Sequence, residues 1–264
     1  MKIEEVNDIR SEKLKIFSSL TEAQLKMASE DGAGLFIAES PKVIRVALER
    51  GYEPVALLCE RKHIFGDAED IVRKCEGITV YTGNRETLWN LTGYKLTRGV
   101  LCAMKRKPKL TVSQVAKEAK LICVIQGICD TTNIGSIFRS AAALGVDGII
   151  LSEDSCDPLN RRSIRVSMGT VFVIPWAVSE RPLQELATLN FKTVALALRD
   201  DSITLQDLKA MNEQRLAVIF GTEGDGLPQK IISDTDYVVK IPMYNKVDSL
   251  NVGSAAAITF WALK

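Results

Sequence analysis

Three segments of the C-terminal half place polar side chains directly after apolar runs, where binding sites are often built. Their reactive groups are two amides, a guanidinium, a carboxylate and a hydroxyl, carried by Asn133, Asn251, Arg139, Glu223 and Ser249. Such groups can orient a polar substrate, accept a proton or stabilise negative charge as it develops on an oxygen. The segments are DTTNIGSIFRSAAALG at 130–145, FGTEGDGLP at 220–228, and IPM at 241–243 with SLNV at 249–252. We therefore expect them to form one functional site.

The first segment runs from the end of a predicted strand into a predicted helix, a junction at which open α/β sheets bind ligands. Asn133 or the two threonines before it can cap this helix, and the three consecutive alanines favour close packing on a sheet. A site at Asn133, Gly135 and Arg139 is therefore expected. The alternative for Arg139 is an ion pair with a surface carboxylate.

The second segment is a glycine-rich loop that follows the apolar run 216–220. Three glycines in six residues allow the backbone to approach a ligand closely or to turn sharply. Their order, Gly-x-x-Gly-x-Gly, differs from the dinucleotide-binding pattern, and the lysine of a phosphate-binding P-loop is absent. The order disfavours a Rossmann-type nucleotide enzyme and leaves open a tight turn or a binding loop.

Strands and helices alternate around these segments. In the first half we predict helices at 11–30, 41–50, 67–75 and 84–92, and strands at 34–38, 54–58 and 78–81. In the second half we predict strands near 121–126, 148–151, 170–174, 193–198, 216–220 and 237–241, and helices near 134–144, 182–188, 204–210, 227–233 and 250–263. Ser249 is expected to cap the last helix.

This alternation predicts the α/β fold class with two domains. Residues 1–104 are predicted to form a small α/β domain with a largely parallel sheet, and residues 119–264 a doubly wound open sheet. The basic run KRKPK at 105–109 predicts a linker at 105–118, because proline favours extended backbone before it and like charges repel. A phosphate contact is the alternative for these charges.

The composition is that of an ordinary globular protein, with 46% hydrophobic and 25% charged residues and a net charge of +1. A charge this small argues against a protein that coats nucleic acid through its overall charge, so local patches must serve if RNA is the partner. Residues 1–110 hold 19 basic and 16 acidic side chains, which favours this half as the RNA-facing one. The charged N-terminus and the lack of a long apolar run predict a cytoplasmic protein without a membrane segment.

The six cysteines are scattered, and none lies in a Cys-x-x-Cys pair or beside the single histidine, His63. We therefore expect no metal site. Cys123 and Cys129 flank an apolar run and are expected to be buried free thiols.

In order and spacing, the three segments resemble the TrmH (SpoU) branch of the SPOUT methyltransferases, which methylate the ribose 2′-hydroxyl of RNA with S-adenosylmethionine. The resemblance implies a catalytic α/β domain with a deep trefoil knot, a homodimer, and a small N-terminal substrate-binding domain. Ribosomal RNA is the first expected substrate, and transfer RNA is the alternative. A non-catalytic RNA-binding protein of the same fold is a further alternative, which the intact polar residues of the motifs disfavour.

The resemblance also implies roles for individual residues. The catalytic positions are Asn133, Arg139, Glu223, Ser249 and Asn251, and the cofactor-binding positions are Gly221, Ile241, Met243 and Leu250. Two roles stay open for Arg139: a base tuned by its pocket, or an electrostatic clamp on the forming alkoxide and the neighbouring phosphate. Dimer contacts are expected from the final helix, at Ala255, Ala256, Phe260 and Trp261. Two positions depart from the family pattern: Asn245 stands where relatives often have glycine, and Gly253 where serine is common.

A basic stretch at 161–169, RRSIRVSMG, resembles a further family segment beside the active site. The matching residues are Arg165, Ser167 and Gly169. Arg161, Arg162 and Arg165 are therefore expected to contact RNA phosphates, which would make binding dependent on salt. A solvated helix face is the alternative for these charges.

Overall fold

The computed structural model describes residues 2–28, 32–94, 96, 98–222, 224, 226–245 and 247–264. The chain divides into an N-terminal unit, residues 1–108 with 159–172, and a C-terminal unit, residues 109–158 with 173–264. The segment 159–172 therefore groups with the first unit, although it lies within the sequence range assigned above to the second domain. Among the described residues, no helix has the length and apolar character needed to cross a membrane.

A five-stranded mixed sheet forms the centre of the N-terminal unit, in the order β1-β4-β3-β5-β2. Its strands are β1 (Lys2–Glu5), β2 (Leu35–Glu39), β3 (Pro54–Glu60), β4 (Thr79–Gly83) and β5 (Val100–Lys105). Its helices are α1 (Lys15–Ser18), α2 (Glu22–Met27), α3 (Pro41–Glu49), α4 (Arg61–Ile64), α5 (Glu69–Lys74), α6 (Arg85–Thr92) and α9 (Arg161–Val166). The expected largely parallel sheet is only partly correct, because β5 runs antiparallel to both β2 and β3.

The region before the basic run forms strand β5, for which the sequence pattern predicts no element. Residues 100–104 are all buried, and β5 lies between two strands of the sheet. The predicted helix at 11–30 is also interrupted: a 3₁₀ turn and two short helices replace it, and Thr21 caps the second helix in a capping box. Burial of alternate residues against the sheet therefore outweighed helix propensity in this region.

The segment 159–172 packs its apolar side chains into the N-terminal unit. Phe172 contacts Phe36 and Tyr52, with ring centroids 5.4 Å and 4.9 Å away. The predicted strand at 170–174 is wrong, because residues 170–172 form a 3₁₀ turn. The turn follows Gly169, whose φ of +85° suits glycine.

A seven-stranded sheet forms the centre of the C-terminal unit, in the order β10-β12-β9-β11-β6-β7-β8, and every pairing in it is parallel. Its strands are β6 (Leu121–Ile125), β7 (Gly148–Ser152), β8 (Trp176–Ser179), β9 (Lys192–Leu196), β10 (Ile203–Thr204), β11 (Leu216–Phe220) and β12 (Tyr237–Lys240). Its helices are α7 (Val112–Ala116), α8 (Thr131–Ala143), α10 (Pro182–Thr188), α11 (Leu205–Ala210), α12 (Gln229–Ser233) and α13 (Val252–Leu263). The predicted open α/β sheet is confirmed.

Helices α8 and α13 pack against each other; α8 carries Asn133 and Arg139, and Asn251 precedes α13 directly. The predicted caps of both helices are wrong. Asp130 caps α8 by accepting a hydrogen bond from the Thr132 amide, and Asn251 caps α13 by accepting one from the Gly253 amide. Helix α13 packs into the core through Phe260, whose ring meets that of Phe220 edge to face.

The six cysteines differ in burial. Cys59, Cys75, Cys102 and Cys123 are buried, Cys156 is half-buried and Cys129 is exposed. The prediction is thus confirmed for Cys123 and wrong for Cys129, which lies in the loop after β6 and not within the strand.

Candidate active site

A cavity of about 700 Å³ opens at the carboxyl ends of three neighbouring parallel strands of the C-terminal unit, β9, β11 and β12. All four predicted cofactor residues line it, and so do two of the predicted catalytic residues. They are Gly221, Ile241, Met243, Leu250, Ser249 and Asn251. Segments separated by some 30 residues in sequence thus meet in one cavity, because parallel strands end on the same edge of their sheet.

Gly221 permits a tight backbone approach at the wall of this cavity. A Cβ atom at position 221 would lie 2.6 Å from the carbonyl group of Gly226 and 2.7 Å from the amide of Leu227. Thr222 closes the loop by donating a hydrogen bond to the Gly226 carbonyl, over 3.2 Å. The glycine-rich sequence therefore forms a tight turn, and this turn also lines the cavity.

Asn251 joins the final helix to α8. Its Nδ2 donates a hydrogen bond to Oδ1 of Asn133 over 2.9 Å, while its own Oδ1 accepts one from the Gly253 amide over 2.9 Å. Asn133 is only 4% exposed. The exposed Asn251 is thus fixed by a buried partner 118 residues away in sequence.

Asn245, in the loop after β12, is one of the two departures from the family pattern. Asn245 has a φ of +57°, in the left-handed region that glycine adopts freely and asparagine tolerates better than most residues. Asparagine therefore serves in place of glycine at this position. Ser249 lies two residues before the cap of α13 and lines the cavity instead.

Arg139 lies apart from the cavity. It is exposed on α8, six residues after Asn133, and the two side chains leave the helix in different directions. No ion pair joins Arg139 to the residues that the structure describes, so the surface-carboxylate alternative finds no support there. Glu223 lies outside the described residues.

A model of the SpoU rRNA methylase family matches residues 120–261. The chain belongs to this family. The matched region covers all seven strands of the parallel sheet in the C-terminal unit, together with the cavity and the Asn133–Asn251 pair. It leaves out the last two residues of α13.

Several methyltransferases resemble this chain, over about half to nearly all of its length. An uncharacterised tRNA/rRNA methyltransferase of Mycobacterium tuberculosis is 33% identical over 98% of this chain and 91% of its own. A 23S rRNA guanosine-2′-O-methyltransferase of Bacillus subtilis is 30% identical over 55% of this chain and 58% of its own. The AdoMet-bound rRNA methyltransferase of Sinorhizobium meliloti, at 22% identity, superposes with a TM-score of 0.82 over 99% of this chain and 97% of its own. That superposition shows a shared α/β fold.

The basic stretch of this SpoU-family chain lies in the N-terminal unit. Arg161 is largely buried there: its Nε donates to Glu39 over 3.2 Å, and its guanidinium stacks on Tyr94 with 4.6 Å to the ring centroid. Burial lowers the pKa of Arg161, and the Glu39 carboxylate opposes that change. Arg162 and Arg165 are exposed, the latter 3.9 Å from Glu39.

Sequence reasoning missed one side of the cavity. The end of β9 contributes residues 196–199, and α13 contributes Ala255. The predicted strand at 193–198 was the available signal, because its carboxyl end lies beside that of β11 in a parallel sheet. The strand order was needed to use it, and sequence spacing does not give strand order.

Proposed function

We propose that this protein is an S-adenosylmethionine-dependent methyltransferase that acts on the ribose 2′-hydroxyl of RNA, with ribosomal RNA as its first substrate. The observation that carries the proposal is the cavity at the carboxyl ends of β9, β11 and β12, which collects polar and apolar residues of two of the three segments, 220–228 and 241–252. Asn133 of the first segment is hydrogen-bonded to Asn251 at the cavity edge. The names of the relatives, which include rRNA and tRNA methyltransferases, support the same substrate class.

The cavity fits S-adenosylmethionine, which supplies a methyl group on a sulfonium centre. A volume of about 700 Å³ is in the range of small-molecule sites, and the lining combines apolar side chains with a few polar ones. Ile241, Met243 and Leu250 would enclose the apolar parts of the cofactor. Gly221, where a Cβ would clash with Gly226, would let the backbone border it closely.

The polar residues divide the remaining tasks. Asn133 and Asn251 hold each other by a hydrogen bond and would orient groups at the cavity edge, together with Ser249. The 2′-hydroxyl loses its proton during transfer, and negative charge develops on its oxygen. Because a guanidinium offers several N–H donors and no acceptor, we assign Arg139 the role of electrostatic clamp on that oxygen and the neighbouring phosphate. Glu223 completes the proposed catalytic set.

RNA recruitment is assigned to the N-terminal unit as a substrate-binding domain, with Arg162 and Arg165 as phosphate contacts. Arg161 is assigned the different task of holding the segment 159–172 through Glu39, since its guanidinium is largely buried. The two arginines at the surface would account for part of the salt dependence of binding.

Assembly as a homodimer is proposed through α13, with a trefoil knot in the catalytic domain and a cytoplasmic location. The expected dimer surface changes in detail. Ala256 and Phe260 are fully buried, whereas Ile258 is 39% and Trp261 is 74% exposed, one turn apart on one face of the helix. An exposed tryptophan beside an isoleucine supports a protein contact at this face.

The test is methyl transfer from labelled S-adenosylmethionine to ribosomal and transfer RNA, followed by mapping of 2′-O-methylated positions. We expect transfer to ribosomal RNA at one position, and micromolar binding of the cofactor by calorimetry. Transfer to transfer RNA alone would select the alternative substrate. Cofactor binding without transfer to either RNA would contradict the proposed activity, and the absence of both would favour a non-catalytic protein of the same fold.

A further inference from the structure

A polar stripe crosses the surface of α8. Asn133, Ser136 and Arg139 follow one another at intervals of three residues, so each side chain neighbours the next on the helix surface. The stripe starts at the buried Asn133, which is bonded to Asn251, and ends at the exposed Arg139. Ser136 is its middle member, and the proposed function gives it no role.

The side chain of Ser136 meets the first turn of α13. A Cβ atom at Gly253 would lie 2.6 Å from Oγ of Ser136 and 3.0 Å from its Cβ, closer than real Cβ contacts. A side chain at residue 253 would therefore force Ser136 to shift. The hydroxyl occupies this space, and Oδ1 of Asn251 lies 3.1 Å from the same point.

The hydroxyl of Ser136 is available to a ligand. Serine within a helix commonly donates a hydrogen bond to the carbonyl one turn earlier. Ser136 makes no side-chain hydrogen bond within the part of the chain that the structure describes, and it is half-buried rather than enclosed. Such a hydroxyl group can both donate and accept a hydrogen bond.

The position of Ser136 relative to the cavity indicates which kind of ligand group it can contact. Asn251 and Ala255 line the cofactor cavity, but Ser136 does not. It lies on α8, between Asn133 and Arg139 in the stripe. A group that contacts Ser136 is therefore one that lies across the cavity edge rather than within the cavity.

We propose that Ser136 is a further substrate-contacting residue, whose hydroxyl hydrogen-bonds a ribose or phosphate oxygen of the RNA at the methylated nucleotide. This inference rests on the proposed function, because it assigns the RNA side of the same site. Gly253 is its structural counterpart, since a Cβ at this position would meet the hydroxyl at the junction of α8 and α13.

The test compares Ser136→Ala with Ser140→Ala, a half-buried serine one turn further along the same helix. Each variant is assayed for kcat and KM with ribosomal RNA at saturating S-adenosylmethionine, for cofactor affinity by calorimetry, and for Tm. We expect Ser136→Ala to lower kcat/KM for RNA about tenfold, a typical loss for one substrate hydrogen bond. Cofactor affinity and Tm should stay at the parent values, and Ser140→Ala should behave as the parent.

The second variant moves the hydroxyl group from residue 136 to residue 253. Ser136→Gly together with Gly253→Ser exchanges the glycine and the serine across the same contact, and we expect it to recover kcat/KM to within about threefold of the parent. Gly253→Ser alone should lower both Tm and activity, because its Cβ meets Ser136. A loss confined to packing would lower Tm in Ser136→Ala as well.

Two results would overturn the assignment of Ser136. One is a kcat/KM for Ser136→Ala within twofold of that of Ser140→Ala on an active parent, and the other is a fall in cofactor affinity that accounts for the whole loss. Both leave the proposed function intact. A parent protein that transfers no methyl group to RNA contradicts the proposed function itself, and the role of Ser136 with it.

Discussion

Asn251 performs two structural tasks with one amide group. Its oxygen caps α13, and its nitrogen holds the buried Asn133, so the start of the final helix and the start of α8 are fixed relative to each other. Its position at the cavity edge adds a third, proposed task in binding. The sequence marked this residue as polar and well placed, but the hydrogen bond to Asn133 required the packing of two distant helices.

Replacing Arg139 by alanine should lower methyl transfer at least about a hundredfold, because one positioned electrostatic group is removed. The side chain is exposed and does not line the cavity, so Tm and cofactor affinity should stay unchanged. Single-turnover rates with saturating RNA would measure the effect, with Arg162→Ala as a control that weakens only RNA binding. Turnover within threefold of the parent would remove Arg139 from the site.

Thiol chemistry should separate the six cysteines. Burial raises the pKa of Cys59 to about 12 and also raises that of Cys123, so these thiols are both hidden and protonated near neutral pH. Alkylation of the native protein should modify Cys129 first and Cys156 more slowly, and the other four only after unfolding. Peptide mass mapping after timed alkylation gives the order. Early labelling of Cys123 would show that β6 opens locally.

At the level of helices and strands, hydrophobic periodicity and turn residues predicted the alternation of elements but not where individual elements end or are interrupted. The sequence predicts a strand at 170–174, yet Phe172 is buried against Phe36 and Tyr52 in a 3₁₀ turn. Strand β5 was not predicted, because a basic run follows it directly. Its five buried residues nevertheless lie between two other strands of the sheet. The four residues predicted to bind the cofactor all line one cavity, and two of them, Gly221 and Ile241, directly follow strands β11 and β12. Their meeting point depended on strand order.

The ion pair between Arg161 and Glu39 should support the packing of α9 on β2. Glu39 is 2% exposed, so Glu39→Gln would leave the guanidinium largely buried without its counter-charge, at a cost of about 3 kcal/mol in unfolding free energy. Urea denaturation followed by fluorescence would measure the loss. The double variant Glu39→Gln with Arg161→Met should regain much of it, because neither charge remains. Equal stability of Glu39→Gln and the parent would exclude a structural role for the pair.

For the whole molecule, the proposed dimer makes a direct prediction. Trp261→Glu should convert the dimer to a monomer at micromolar concentration in sedimentation velocity, because a charge replaces a large apolar side chain at the proposed contact. Trp89→Glu, at a 43% exposed tryptophan of the other unit, is the matched control and should remain dimeric. A parent protein that sediments as a monomer and retains activity would refute the dimer.

The division of the chain also affects how the protein is made. The N-terminal unit receives residues 159–172 only after β6, α8 and β7 have been synthesised. Domains usually fold in order as the nascent chain emerges, but here the first unit lacks Phe172, a partner of Phe36, until most of the second unit's first half has left the ribosome. The N-terminal unit can therefore complete its packing only after part of the second unit has been synthesised. A gene fusion that carries residues 1–108 alone would transfer an unfinished fold.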